Sequence, residues 1–580
     1  MNIVFKTFLA ALLLAVSSFA DRMVKTTHNS NPPGWPLIMS TYLGGSGEDG
    51  SHEFPYYMDA IEDANGNLYI AAITTSTDLP TVPGSYQCST CGGLDIMVAK
   101  LSPDLTSILA MARIGGSGED TDPRIALGVD GRVYLLARTA SANYPTTVNA
   151  YRRSRRGSSD FVITAFDSGL STVVASTYFG GYGIEYAPSL ATNDLGDVYI
   201  SGHVDANGVT TTAGAAQPDF GGGANDCFVS GFSPNLDALK ASTLLGGKYS
   251  EEAGGIALFS NGDIVVGLGT HSDNFPTTEG AYDTSFHGTP GECVECTDCA
   301  ITRLNADLTA ILASTYVGGS AHDRVTCIQT DDYGNVWFSG LAFSLDYPTT
   351  EGSFDPVHAP EGTHEEFVSK MSGDLTQLFA STYLSPNFTV GGTPQINNIL
   401  VDSTGLVYVA GLAWDSIYVT PDAYDPSWNN SVDHFLMVLT DDLSHVTYST
   451  LLGGADFESD SRIVSARAGN ATIAGVASSH DYPSTTNAIN PSYLGGASDL
   501  TVTRIGIGSC CRGTRGNVNF TGIVDLGDLS ALVSYLTGGG CVLPCPNEAN
   551  VNAVGIVDLA DLSALVSYLT GGGYVLPTCP

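Results

Sequence analysis

The string Ser40-Thr-Tyr-Leu-Gly-Gly45 decides the fold, because it recurs. Variants stand at Met111–Gly116, Ser176–Gly181, Ser242–Gly247, Ser314–Gly319, Ser381–Pro386 and Ser449–Gly454, with starts 65 to 72 residues apart. Self-similarity at a steady period marks a repeat architecture. A glycine turn between two apolar runs follows each copy, as in Ile256-Ala-Leu-Phe-Ser-Asn-Gly-Asp-Ile-Val-Val266. The turn glycines are Gly66, Gly131, Gly196, Gly262, Gly334, Gly405 and Gly469. Asn-Gly and Asp-Gly supply the positive φ that two-residue hairpin turns need. An aromatic-Pro-Thr loop comes next, at Tyr144, Phe275, Tyr347 and Tyr482, and then an acidic residue that opens a strand: Asp95, Asp160, Asp226, Asp298, Glu366, Asp433 or Asp499.

Each unit therefore supplies four strands. A and B flank the glycine turn, C starts at the acidic residue, and D is the Ser-Thr-Tyr-Leu string. Four antiparallel strands in about 68 residues suit one propeller blade. The chain has a lone D strand at Ser40 and a lone C strand at Asp499–Ile505. Pairing the two closes a ring of seven blades and removes an exposed edge.

Composition bounds the rest. Met1–Ala20 carries Lys6, an apolar run Phe8–Val16 and small residues at Ser18 and Ala20, the pattern of a cleaved secretory signal. The run is short for a bilayer span, and no second one exists, so no membrane insertion is expected. Acidic residues outnumber basic ones 60 to 22, for a net charge of −38. Such a surface repels phosphate backbones, and no nucleic-acid partner is expected.

The recurring Ser-Thr-Tyr-Leu-Gly-Gly, Gly-Asn-(Val/Leu)-Tyr-Ile-(Ala/Ser)-Gly, Phe-Pro-Thr-Thr-x-Gly-Ala-Tyr-Asp and Asp-x-x-Val-x-x-Leu motifs resemble the bacterial seven-bladed β-propeller-type (SBBP) repeat. The resemblance covers about residues 37–507. It implies an exported or cell-surface protein, mostly without assigned activity in that family. Blade six departs from it: Ser385-Pro386 replaces Gly-Gly, and the loop reads Tyr418-Val-Thr-Pro421.

After Cys510-Cys511 the composition changes. Gly516–Leu536 recurs 33 residues later at Ala549–Leu569, each copy a glycine-centred loop followed by one amphipathic helix. The pair resembles type I dockerin repeats, whose loops are calcium loops of EF-hand type. The resemblance implies ligands Asn517, Asn519, Thr521, the Ile523 carbonyl, Asp525 and Asp528, and then Asn550, Asn552, the Ile556 carbonyl, Asp558 and Asp561. Each loop keeps only two carboxylates, and Val554 offers no oxygen, so binding should be weak and tighter in the first loop. Asp525 and Asp558 also read as helix N-caps. The resemblance implies a cohesin-like or other extracellular protein partner, met through Leu526, Gly527, Val533, Ser534, Leu559, Ala560, Val566 and Ser567. A self-contained C-terminal cap is the alternative.

The resulting organisation is a signal peptide over 1–20, a linker over 21–36, a mainly β seven-bladed propeller over 37–508 and a small α-helical dockerin-like module over 509–580. Twelve cysteines in an exported chain read as disulfides. Cys88 with Cys91, and a pair among Cys293, Cys296 and Cys299, are the local candidates. The two clusters lie three blades apart, too far to share a zinc ion, and no zinc is expected. Cys510, Cys511, Cys541, Cys545 and Cys579 bracket the tail.

No nucleophile elbow, zinc-binding helix or phosphate loop stands in the right setting. Acidic residues do follow the Gly-Gly in most blades: Glu48, Asp49, Glu119, Asp120, Glu185, Glu251, Glu252, Asp323 and Glu458. They form either a channel-face ring that binds a cation, a cationic ligand or a glycan, or turn residues bonded to nearby backbone N–H groups. The second is preferred, because consensus residues of a repeat usually serve the repeat. The expected function is an exported, non-catalytic interaction or scaffold protein at the bacterial surface or outside it. The alternatives are an enzyme or accessory factor of polysaccharide breakdown, and a structural surface-layer or matrix component.

Overall fold

The computed structural model describes residues 37–51, 58–89, 91–183, 185–291, 297–358, 364–385, 394–429, 431–467, 469–506, 515–516, 518, 524–537, 549–552, 557 and 559–577. Over Leu37–Gly506 the described strands form seven four-stranded antiparallel sheets. Blade four is representative: strand A is Glu251–Leu258, B is Ile264–Thr270, C is Asp298–Leu304 and D is Ile311–Val317. Each A strand packs against the A strands of both neighbouring blades, and that of blade one meets that of blade seven, so the ring closes.

Blade seven is assembled from the two ends of the repeat region. Its A, B and C strands are Glu458–Arg467, Asn470–Ala477 and Asp499–Gly506, and its D strand is Leu37–Leu43. Ser40 pairs with Thr503 and Leu43 with Leu500. The Ser40 and Thr503 hydroxyls bond at 2.9 Å, and Tyr42 donates its phenol proton to the Ser479 carbonyl at 2.7 Å.

All seven turn glycines have positive φ, between 73° and 90°. Six of the turns differ from the two-residue type expected, while in blade seven Arg467 pairs with Asn470 across two residues. In blade one Gly66 N–H bonds Asp63 C=O, and Asp63 N–H bonds Asn67 C=O. This is a three-residue loop, a tight turn followed by a left-handed glycine. Asp63 Oδ1 accepts from Asn65 and Asn67 N–H, which explains the Asp or Asn that opens many of these turns.

A second left-handed position is not glycine at all. The C–D turns hold Leu105, Leu170, Leu236, Leu308, Leu375 and Leu443 at φ of 51° to 58°. Each leucine is fully buried. Burying that side chain gains about 1.5–3 kcal/mol, which offsets the roughly 1–2 kcal/mol backbone cost. The same residues tie blades together: Tyr86, Tyr151, Ala216, Tyr282 and Phe354 donate N–H to the carbonyls of Leu170, Leu236, Leu308, Leu375 and Leu443, each in the next blade.

In the tail, two helices are described, α1 (Leu526–Leu536) and α2 (Leu559–Leu569). They share a small apolar core of Val518, Leu532, Ala549, Val551, Ala564, Leu565 and Leu576. No described helix is long and apolar enough to cross a membrane. Cys88 and Cys91 are joined in a disulfide with Cα atoms 5.7 Å apart. Cys299 corrects one candidate: it lies on strand C of blade four, buried and free. Its side chain faces the core between blades four and five, so it cannot serve a loop disulfide. Residues 1–20, Cys293, Cys296 and the five tail cysteines lie outside the described residues.

Candidate functional site

The acidic residues after the Gly-Gly do not form an open ring. Asp49, Asp120, Glu185, Glu251, Asp323 and Glu458 are completely buried, the last five at the start of their A strands and Asp49 in an isolated bridge to Thr74. Asp49 accepts the Gly45 N–H at 2.6 Å, Asp120 that of Gly116 at 2.8 Å, Glu185 that of Gly181 at 2.6 Å, and Asp323 that of Gly319 at 2.8 Å. Serines after strand B complete the bonding, Ser76 to Asp49 at 2.7 Å and Ser344 to Asp323 at 2.7 Å. These six carboxyls are therefore turn-bonded junction residues, the reading preferred from the sequence, and the alternative of an open channel-face ring does not hold for them. Glu119 is exposed, Glu48 is partly so, and only Glu252 reaches the axis.

Each buried acid also meets the acid that opens strand C of the preceding blade. A methyl group on Gly246 would lie 2.5 Å from both Asp226 Oδ1 and Glu251 Oε2, and one on Gly180 would meet Glu185 and Asp160. The first glycine of the Gly-Gly is thus set by space for a carboxyl pair, in addition to any turn preference. Burial raises these groups: Asp95 to about 6, Asp298 to about 7 and Glu185 to about 7.

The axis itself holds a cavity of about 770 Å³. Among the described residues its lining carries four arginines, Arg124, Arg138, Arg324 and Arg462, against three carboxylates, Asp59, Asp122 and Glu252. That reverses the balance of a chain with 60 acidic and 22 basic residues. Bulges in the A strands turn several of these side chains inward. Register shifts fall between Thr121 and Arg124, between Val325 and Cys327, and between Ser459 and Ser461. At two bulges the backbone is left-handed without glycine, with φ of 55° at Asp122 and 38° at Asp460. Such strain costs about 1–3 kcal/mol and gathers at functional sites.

Those two aspartates hold arginines. Asp122 pairs with Arg138 Nε at 2.7 Å, and Asp460 lies 3.7 Å from Arg462 Nε. Asp59 reaches Arg462 at 3.6 Å and accepts the Ile125 N–H at 3.0 Å. On the other side, Glu252 sits 3.5 Å from Arg324 and 3.8 Å from His271. The His271 hydrogen bond, helped by Arg324, holds Glu252 down at about 2. It stays anionic and anchors the Arg324 guanidinium.

His203 stacks on Tyr186 with centroids 5.5 Å apart, and the Arg138 guanidinium lies 6.0 Å from the Tyr186 centroid. Burial pushes His203 down to about 4, so its ring is neutral near pH 7. Its Nδ1 accepts the Ala253 N–H at 3.3 Å, which leaves Nε2 as the protonated nitrogen and a donor. Asn397 Oδ1, also on the lining, is buried without a hydrogen-bond partner among the described residues. The pocket thus offers guanidinium and imidazole donors to an anion, and an amide acceptor to a hydroxyl.

In the tail, Asp525 caps α1 by accepting the Gly527 N–H at 2.6 Å, and the Asp528 side chain accepts the Asp525 N–H at 2.7 Å. Asp561 accepts the Asn552 N–H at 2.9 Å. Asp528 and Asp561 are both fully buried, each in the first turn of its helix. Asn517, Asn519, Thr521, Ile523, Ile556 and Asp558 lie outside the described residues. The two helices present matching faces: Leu526, Leu559, Val533 and Val566 are exposed, Gly527 and Ala560 are exposed, and Ser534 and Ser567 are half-buried.

No family model matches the chain, and no curated protein matches it. Solved structures are similar at the level of the fold. A polysaccharide lyase, the PL25 ulvan lyase, matches at 10% identity and a TM-score of 0.42, over 80% of this chain and 94% of that one. A GH93 α-L-arabinofuranosidase of Fusarium graminearum matches at 10% identity and a TM-score of 0.34, over 65% and 92%. A protein of unknown function from Dyadobacter fermentans matches at 10% identity and a TM-score of 0.38, over 82% and 100%.

Proposed function

We propose that this is an exported interaction protein whose propeller binds an anionic, hydroxyl-bearing ligand, such as an oligouronide, in its axial pocket. The carrying observation is the convergence of four arginines on one cavity in a chain of net charge −38. Guanidinium groups suit carboxylates and sulfates because their paired donors match two oxygens at once. The donor Nε2 of His203 and the acceptor Oδ1 of Asn397 fit a ring that carries both charge and hydroxyls.

Calorimetric titration with an oligogalacturonide and with a neutral oligosaccharide of equal length tests this. Binding of the charged ligand alone is expected. Arg324→Ala should weaken it about 10- to 100-fold, the worth of one charge-assisted hydrogen bond of roughly 1.5–3 kcal/mol. Equal affinity for the neutral ligand would sink the reading.

A second reading, an enzyme of extracellular polysaccharide breakdown, is favoured by one feature. Tyr186 and His203 stack beside Arg138, so proton-transfer groups stand next to a cation that would neutralise a uronate. Release of new chain ends from a polyuronate, lost in His203→Ala, would establish it over the binding reading.

The tail is proposed as a docking module for a cohesin-like or other extracellular protein, through the matching faces of α1 and α2. Its loops are proposed to bind calcium weakly, with Asp525 and Asp528 supplying charge in the first and Asp558 and Asp561 in the second. When bound, the ion would cross-link loop and helix start; Asp528 and Asp561 already orient the loops by accepting backbone N–H groups. Calorimetry of the full chain should show calcium heat that falls more in Asp528→Ala than in Asp561→Ala, because Thr521 offers an oxygen where Val554 offers none.

A further inference from the structure

The buried carboxyl pairs between blades do not all solve the same electrostatic problem in the same way. At two junctions a guanidinium answers the strand C acid: Arg113 lies 2.7 Å from Asp95, and Arg152 lies 2.9 Å from Asp160. At two others no cation among the described residues answers. Asp226 and Glu251 close the junction of blades three and four, and Asp433 and Glu458 that of blades six and seven. All four side chains are completely buried.

Their bonding is incomplete in one specific respect. Asp226 Oδ2 accepts the Gly221 N–H at 2.7 Å, and Glu251 Oε1 accepts the Thr270 hydroxyl at 2.8 Å. Asp226 Oδ1 and Glu251 Oε2 have no partner among the described residues, and both converge on the space above Gly246. Asp433 Oδ1 and Glu458 Oε1 are likewise without partners. Among the described residues, the titratable groups facing the first pair are Cys227 and Tyr316, and those facing the second are Asp425, Asp481, Tyr42 and Tyr482. None of them is a cation. Two adjacent buried carboxylates would repel each other and leave acceptors unsatisfied. One proton removes both faults, because a carboxylic acid donates where a carboxylate only accepts.

We propose that the Asp226–Glu251 and Asp433–Glu458 pairs each hold a shared proton, and that these protons make closure of the propeller sensitive to pH. Burial raises Glu251 to about 8 and Glu458 to about 9, with the neighbouring carboxyl adding to each rise. The unfolded chain releases these protons near the ordinary carboxylate range, at about pH 4. A folded-state pKa above the unfolded one gives stability that is full below about pH 4 and is lost progressively as pH rises from there to about 8 for Glu251 and about 9 for Glu458.

Urea unfolding of the full chain across this range tests the proposal, alongside the infrared absorption of protonated carboxyl groups. The unfolding equilibrium constant should rise about tenfold per pH unit for each pair that keeps its proton in the folded state. In a Glu251→Gln, Glu458→Gln double variant the amide N–H replaces the acid proton, and the steepness should fall by the share of two protons. The wild type near neutral pH should show a protonated-carboxyl band that the double variant reduces. Where the double variant fails to fold, the single variants Glu251→Gln and Glu458→Gln are each read the same way against the wild-type band. Flat stability across the range, absence of the band, or calcium that stabilises the wild type at high pH but not the double variant would each overturn it, the last by showing a cation in place of the proton.

Discussion

Deleting residues 37–43 is expected to leave a chain that does not form a stable ring. The strand is the whole outer edge of blade seven, and it brings Met39, Tyr42 and Leu43 into the core at exposures of 5%, 1% and 0%. Three such side chains stabilise the fold by roughly 5–9 kcal/mol at about 1.5–3 kcal/mol each. That is comparable with the whole stability of an ordinary domain, about 5–15 kcal/mol. The deletion also uncovers the hydrogen-bonding edge of Asp499–Gly506, so the product should self-associate. Light scattering and a thermal melt read both effects. A peptide of residues 37–43 added in trans should recover part of the loss by pairing with that edge. A monomeric deletion variant with an unchanged melting temperature would refute the closure argument.

Gly411→Ala is expected to be the most damaging of the single methyl additions in the strands, at about 3 kcal/mol, the upper end for overpacking. Gly411 sits on strand B of blade six, Val407–Ala413, opposite a bulge in strand A, Pro394–Val401. A β-carbon there would overlap the Gln395 carbonyl oxygen and stand 2.8 Å from Phe435 Cε1. The first obstacle is backbone and cannot rotate away. Gly340 is crowded by the Arg324 carbonyl oxygen in the same way, and Gly202 lies 2.7 Å from that of Tyr186. Gly92→Ala is the control: nothing lies within 4 Å of its β-carbon, and it should stay within about 0.5 kcal/mol of wild type. Similar denaturation midpoints for the two variants would show that the bulge tolerates a side chain.

Much of this fold is written in local signals. The turn glycines and the acids that open strand C each mark a strand boundary within a few residues, which is why blade number and closure follow from spacing alone. The left-handed leucines escape such reading, because propensity assigns that conformation to glycine or asparagine and only burial reverses it. The junction acids were visible, but their pairing was not. Glu251 and Asp226 stand 25 residues apart on different blades, and nothing in either motif names the other. The axial pocket was the least legible. Arg124 and Arg462 share one place, four residues after the junction acid, but Arg138 and Arg324 stand elsewhere in the repeat, and three of the four flank bulges that rotate an A strand by one residue. A period-two pattern carries no trace of such a shift until the register is known.

Pairing of Ser40 with Thr503 also bears on how the chain reaches its final state. These residues are 463 positions apart, so closing that contact costs loop entropy that no neighbouring strand has offset in advance. Six blades can assemble from segments close in sequence, each within a span of about 70 residues. Blade seven must wait for both ends. Folding should therefore show a fast phase in which most of the sheet forms and a slower one set by the search for the latch, with the unlatched edge open to other chains in the interval. The converse holds for unfolding: the latch strand is the element whose release first unfastens the ring, so hydrogen exchange in Leu37–Leu43 should report the earliest opening of the propeller.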